Sequence, residues 1–183
     1  MKLAECDILI LPGLGGSEPG HWQMRWAERM NNAAIVEQAD WFEPDLDDWV
    51  QTIDQAARLT IRPVIMVAHS LAVTAVAHAA PRLPDNVRAA FLVAPTDVEL
   101  SPAAPEETYG FRPVPRDPLP FPSMVVASGN DPYVTLERTV EFANCWGSDF
   151  HQAGDAGHIN VESGHGPWPE GLLMFTRLLQ RLK

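Results

Sequence analysis

A mostly parallel α/β sheet of about six strands, with helices on both faces, is the fold this sequence predicts. Two observations carry it. Short apolar runs alternate with helical segments at the spacing of βαβ units. Several of those runs are nearly continuous rather than alternating, as strands covered on both faces are.

The elements follow in order. Residues 7–12 read as the first strand, with Ile8, Leu9, Ile10 and Leu11 unbroken. A loop, Gly13-Leu14-Gly15-Gly16-Ser17-Glu18-Pro19-Gly20, comes next. Residues 21–31 look helical and 34–38 form a short strand. Residues 45–59 make an amphipathic helix, because Leu46, Trp49, Val50, Ile53 and Ala57 recur near helical spacing. The central strand is 63–67 and the helix after it 70–80. Strands follow at 87–94 and 123–128, then a helix at 135–145. A short last strand at 149–152 and a helix at 171–182 close the chain.

The segment 95–122 breaks this rhythm. It holds eight prolines and few core-forming residues. Proline cannot donate to a strand ladder, so the segment reads as one long irregular excursion. Too little chain follows it to build a second core, so residues 1–183 are expected to form one domain. Long loops in compact domains are often functional, and this one is expected to wall a substrate site.

Composition narrows the function. A hydrophobic fraction of 46% and a charged fraction of 20% fit an ordinary globular protein. The net charge of −11, with no basic cluster, argues against nucleic acid as a partner. No stretch approaches the ~18 apolar residues a membrane span needs. Glu5 and Asp7 break the N-terminal apolar run, which is too short and too charged for a signal peptide. Cys6 and Cys145 are far apart, so they form neither a metal motif nor a disulfide framework. Both lie in apolar surroundings and read as buried free thiols in a reducing cytoplasm.

The stretch Val64-Ile65-Met66-Val67-Ala68-His69-Ser70-Leu71-Ala72-Val73 is an apolar strand, a serine between small residues, and an apolar helix. Small-x-Ser-x-small at a strand-to-helix turn is the pattern of a nucleophile elbow. The turn strains the serine backbone and lifts its Oγ over the sheet, and close packing requires small neighbours two residues away. Here both are alanine, Ala68 and Ala72, where glycine is usual. The competing reading is an ordinary N-cap serine.

A serine nucleophile needs a base, and the base an orienting acid. Asp131 lies just beyond the strand 123–128, in Ser128-Gly129-Asn130-Asp131-Pro132. His158 lies in the loop Gly157-His158-Ile159-Asn160 after the last strand. The order Ser70, Asp131, His158 matches that of an α/β-hydrolase. Asp131 also suits a turn opener before the helix at 135. Asp97 and Asp155 are rival acids, and His165 is the rival base. His21 borders the first loop, and His69 fills the slot before Ser70.

A tetrahedral oxyanion needs two backbone donors. Leu71 N–H, just after the serine, and Leu14 N–H, in the glycine-rich loop, are the candidates. Gly13, His21, Trp22 and His69 are possible pocket lining, although packing is the commoner role for a pair such as Trp22 and Trp26. The first loop lacks the Gly-Lys-Ser/Thr ending and the Gly-x-Gly-x-x-Gly spacing of nucleotide loops. His158, Glu162 and His165 are possible metal ligands, but Ser163-Gly164 interrupts any helix that would present them together. No metal and no cofactor are expected.

Taken together, these motifs with Leu11-Pro12-Gly13-Leu14-Gly15-Gly16-Ser17 and Gly20-His21-Trp22 resemble the compact, lidless α/β-hydrolases related to the retinoblastoma-binding serine hydrolase and its bacterial YdeN-like relatives. The resemblance spans nearly the whole chain. It implies a Ser-Asp-His triad at Ser70, Asp131 and His158, and it favours His158 over His165. The chain has no Leu-x-Cys-x-Glu segment, so the retinoblastoma partner does not carry over. The expected activity is hydrolysis of a small-molecule ester or related acyl bond. The alternative is a weakly active or non-catalytic interaction module on the same scaffold.

Overall fold

The structure, a computed structural model, describes residues 1–182. Six strands form one sheet: β1 Asp7–Leu11, β2 Ala33–Ile35, β3 Val64–His69, β4 Val87–Val93, β5 Ser123–Ala127 and β6 Asp149–Gln152. The spatial order is β2-β1-β3-β4-β5-β6, and every pairing is parallel. The helices are α1 Trp22–Arg29, α2 Leu46–Arg58, α3 Leu71–Ala79, α4 Leu136–Trp146 and α5 Pro169–Arg181.

The period-two rule of a strand sorts the core into two layers. Ile8, Ile10, Ile65, Val67, Phe91, Val93 and Val126 face α1 and α5, where they meet Trp22, Trp26, Phe175 and Leu178. Leu9, Leu11, Met66, Ala68, Leu92 and Val125 face the other way, onto Trp49, Ile53, Val76 and Phe142 of α2, α3 and α4. Helix α3 is buried on nearly every side, which explains its uniformly apolar sequence.

Element boundaries differ from the sequence expectation in explicable ways. The central strand runs on to His69, because the β3–β4 ladder continues to the His69–Val93 pair. Strand β2 is shorter than 34–38. Helix α5 begins at Pro169, where proline fits the first helical position. Helix α4 is capped by the Thr135 hydroxyl, which accepts from the Arg138 amide, and it stops at Gly147 in a left-handed conformation.

The excursion 95–122 departs most from expectation. It contributes Val98, Phe111, Val114 and Phe121 to the core on the α2–α4 side. It also winds into a short 3-10 helix over Glu106–Phe111. Arg138 and Arg116 tie it to α4 through Asp97, Glu99 and Glu141. Its scattered apolar residues fill gaps singly, which no periodicity announces.

Strand order reverses direction between β1 and β3. The chain leaves β1 toward β2, then returns to β3 on the other side. In open parallel sheets the crevice beyond the carboxyl ends at such a point is where ligands bind. The Gly13–Gly20 loop leaves β1 there, and Ser70 leaves β3 beside it. Among the described residues, no helix is long and apolar enough to cross a membrane.

Candidate active site

Ser70 sits at the turn between β3 and α3 with φ 59° and ψ −127°. A non-glycine residue in this region is strained by roughly 1–3 kcal/mol and persists only when its surroundings hold it. Two bonds hold it: Ser70 N–H donates to the Val93 carbonyl, and Val73 N–H donates to the Ser70 carbonyl, each at 3.0 Å. Ala68 and Ala72 are both buried, so two methyl groups fit where the elbow usually has hydrogens. Ser70 stands at the N-cap position, yet its hydroxyl makes no capping bond.

That hydroxyl faces His158. Nε2 of His158 lies 2.8 Å from Ser70 Oγ, and its Nδ1 lies 3.0 and 2.9 Å from the two Asp131 carboxylate oxygens. Facing a carboxylate, Nδ1 carries the proton, so Nε2 of the neutral ring accepts from Ser70. The Asp131 side chain is fully buried. Its Oδ1 also accepts from the Tyr133 amide at 2.9 Å, an Asx turn that fixes the carboxylate. The Tyr133 ring packs edge-on to the imidazole with centroids 4.6 Å apart.

A cavity of about 540 Å³ opens over Ser70. Gly13, Leu14, His21, His69 and Leu71 line it, together with Met24, Ile35 and Trp41 on one wall and Thr96, Pro105 and Thr108 of the excursion on the other. Leu14 N–H has no acceptor among the described residues, and Leu71 begins α3, where an amide has no intrahelical partner. Both amides are therefore free to serve a ligand oxygen.

The serine hydrolase family model matches residues 8–177. The chain belongs to the serine hydrolase family. A protein described as a YdeN-like hydrolase, from Pectobacterium atrosepticum SCRI1043, superposes on this hydrolase with a TM-score of 0.85. The two chains are 31% identical over 96% of this chain and 91% of that one. The ydeN gene product of Bacillus subtilis superposes with a TM-score of 0.78 at 18% identity, covering 96% and 99% of the two chains. Est1E of Butyrivibrio proteoclasticus, solved with ferulic acid bound, shares the fold with a TM-score of 0.69 at 14% identity, over 97% and 91% of the chains. No curated protein matches by sequence. The likeness therefore falls on the YdeN-like side of the resemblance seen in the motifs.

The rival residues of this serine hydrolase stand away from the Ser70–His158 pair. Asp97 is held by Arg138, with Nε 2.8 Å from Oδ2, and by the Glu99 and Leu100 amides. Asp155 is exposed and makes no bond to His158. Nδ1 of His165 lies 3.2 Å from Ser163 Oγ, within a local turn. Trp22 does not line the cavity as anticipated. It is fully buried, donates from Nε1 to the Ile159 carbonyl at 2.9 Å and packs on Trp168. Its large apolar ring gains more from the core than from a half-open pocket. Among the described residues, no three His, Cys, Asp or Glu side chains are grouped to hold a metal ion.

Several supports escaped the sequence reading. Gln23 is fully buried and joins three segments. Its Nε2 donates to the Leu11 carbonyl at the end of β1 and to the Val67 carbonyl within β3, at 3.1 and 3.0 Å, and its Oε1 accepts from Ser17 Oγ in the first loop. Ser128 and Asn130 clamp the acid loop to the histidine loop. Ser128 Oγ accepts from the Ala156 amide at 2.9 Å, and Asn130 Oδ1 accepts from the Gly157 amide at 2.7 Å. Asn130 stands next to Asp131 in Ser128-Gly129-Asn130-Asp131-Pro132, and that adjacency is the one signal the sequence offers. His69 donates from Nε2 to the His158 carbonyl at 2.8 Å.

His69 is held well below the ordinary histidine range by burial first, then by His158 and His21. His21 is pushed down to about 4, again chiefly by burial, with His158 and His165 adding to it. Its Nδ1 accepts from the Gln23 amide, so the neutral ring also caps α1.

Proposed function

We propose that this hydrolase cleaves small-molecule esters or related acyl bonds through an acyl-enzyme, with Ser70, His158 and Asp131 as its triad. The single observation that carries the reading is the continuous chain Ser70 Oγ, His158 Nε2, His158 Nδ1 and Asp131 carboxylate, with each link between 2.8 and 3.0 Å. Ser70 Oγ attacks the carbonyl carbon as its proton passes to His158 Nε2. The carbonyl electron pair becomes an oxyanion held by the Leu14 and Leu71 amides. Collapse expels the leaving group, which takes the proton from His158. A water then repeats the sequence on the acyl-serine and frees the acid. Asp131 keeps Nδ1 protonated and stabilises the imidazolium. This chemistry needs no cofactor.

The substrate is a small acyl compound, because the cavity is large enough for a drug-sized ligand and lies at the mouth of the elbow. Two free cysteines, one of them buried, favour a cytoplasmic setting.

Fluorophosphonate labelling tests the reading. The probe is expected on Ser70. Ser70→Ala is expected to lower ester hydrolysis by several orders of magnitude with an intact melting temperature. Label on another serine, or full activity in Ser70→Ala, overturns the assignment. Absence of both label and turnover in the native chain selects the interaction-module reading.

A further inference from the structure

Ser70 Oγ has a second neighbour that the triad does not use. Thr96 Oγ1 lies 3.0 Å from it. Thr96 stands just past β4, is almost wholly buried and lines the cavity.

The direction of this bond follows from counting hydrogens. Nδ1 of His158 holds the ring proton against Asp131, so Nε2 is an acceptor and takes the only hydroxyl hydrogen of Ser70. Ser70 Oγ then has lone pairs alone to offer Thr96. The hydrogen between the two hydroxyls belongs to Thr96, which donates.

The donor is also fixed in place. The Thr96 carbonyl accepts from the Val98 amide at 3.1 Å, and the next amide, Asp97 N–H, donates to the Tyr133 carbonyl at 3.0 Å. The Asp97 carboxylate is gripped by Arg138. Thr96 therefore belongs to a braced turn joined both to α4 and to the loop carrying Asp131. Such a donor needs little reorganisation when charge appears beside it.

We propose that Thr96 is a further catalytic residue of this hydrolase, donating a hydrogen bond to Ser70 Oγ as the nucleophile forms its bond to carbon. The proposal rests on the reading of Ser70 as nucleophile. As the Ser70 proton moves to His158 Nε2, negative charge gathers on Oγ before the new C–O bond consumes it. Thr96 keeps its own proton throughout and transfers nothing. In the resting state its bond to a neutral hydroxyl slightly lowers the availability of the Oγ lone pair. In the transition state the same bond meets partial negative charge. Hydrogen bonds to charged groups are roughly twice as strong as neutral ones, so the gain exceeds the loss. Only that difference accelerates the reaction.

The test compares Thr96→Val, which keeps the shape and removes the hydroxyl, with Thr96→Ser, which restores it. Two rates are read: kcat/KM for p-nitrophenyl acetate and the second-order rate of fluorophosphonate labelling at Ser70. Thr96→Val is expected to lower both by a similar factor, on the order of ten- to a hundredfold. Thr96→Ser is expected to recover most of the loss, with melting temperatures close to the native value. Native rates in Thr96→Val overturn the proposal. So does a loss that Thr96→Ser fails to recover while remaining folded. Should the valine variant not fold, Thr96→Ala against Thr96→Ser gives the same comparison. Label on a serine other than Ser70 in the native chain defeats the triad reading instead, so the two failures are told apart.

Discussion

Gly13 lies so close beneath Ser70 that a methyl group on its α-carbon would stand 2.7 Å from Ser70 Cβ and 3.0 Å from the His69 carbonyl oxygen. Carbon atoms in contact need well over 3 Å. The loop after β1 can therefore reach the elbow only with glycine at this position. Here the requirement comes from close approach, since the backbone of Gly13 is not left-handed.

Gly13→Ala is accordingly expected to push the first loop and Ser70 apart by several tenths of an ångström. The Leu14 amide would then miss its target oxygen. Activity on p-nitrophenyl acetate should fall on the order of ten- to a hundredfold, with most of the loss in kcat. Steady-state kinetics check this, and an unchanged kcat would show that the loop relaxes freely.

Paired substitutions separate the triad from its rivals. His158→Ala should nearly abolish turnover, whereas His165→Ala should leave it close to native. Asp131→Asn should lower kcat by roughly 10⁴-fold, through loss of the correct imidazole tautomer. Asp97→Asn should cost far less turnover than Asp131→Asn and should lower the melting temperature, since it weakens the bond to Arg138 that holds the excursion, Thr96 included, against α4. A reversed order in either pair would move that role to the rival.

Acid should destabilise this protein through its two buried, neutral histidines. His21 titrates at about 4 in the folded chain and near 6.5 when unfolded. Between those values the unfolded state binds the proton and the folded state does not. Stability is thus complete above pH 6.5 and is lost as pH falls toward 4, by roughly 3 kcal/mol for His21. His69 is depressed in the same direction by burial. Melting temperature should drop between pH 7 and pH 5. His69→Gln, which keeps a donor for the His158 carbonyl, should flatten that drop. Equal slopes in the two proteins would remove His69 from the account.

Short acyl esters should be turned over at least as well as long ones. The cavity is half-open and mixes apolar walls at Leu14, Met24 and Trp41 with Ser17, Glu18 and Thr108. Each methylene buried in a dry tunnel would gain ~0.8 kcal/mol, and these walls enclose too little of a chain to collect that repeatedly. A p-nitrophenyl series from acetate to palmitate measures it. A steady rise in kcat/KM beyond about eight carbons, at that increment, would contradict the expectation.

What the sequence determined by itself is local and periodic. Strand faces at Ile8 to Leu11, the amphipathic stripe of α2 and the small-x-Ser-x-small turn are set by neighbours a few residues apart. The steric rules for such neighbours hold whatever the rest of the chain does. Chain order and a motif resemblance then pointed to Asp131 and His158. The remaining contacts depend on which strand ends lie side by side, and only the tertiary structure decided them. Thr96 reaches Ser70 across 26 positions, Gln23 reaches the Val67 carbonyl across 44, and His69 reaches the His158 carbonyl across 89. Thr96 and Gln23 are ordinary residues in unremarkable surroundings, and His69, singled out only for its place beside Ser70, gives no sign in the sequence of the carbonyl it reaches. They matter because the parallel register brings the carboxyl ends of β1, β3, β4 and β6 to one edge, where buried polar groups must find partners among one another. The excursion 95–122 teaches the same point from the other side. Its prolines announced an irregular path, but whether Phe111 and Val114 would fill the core depended on a gap that exists only once α2, α3 and α4 have packed.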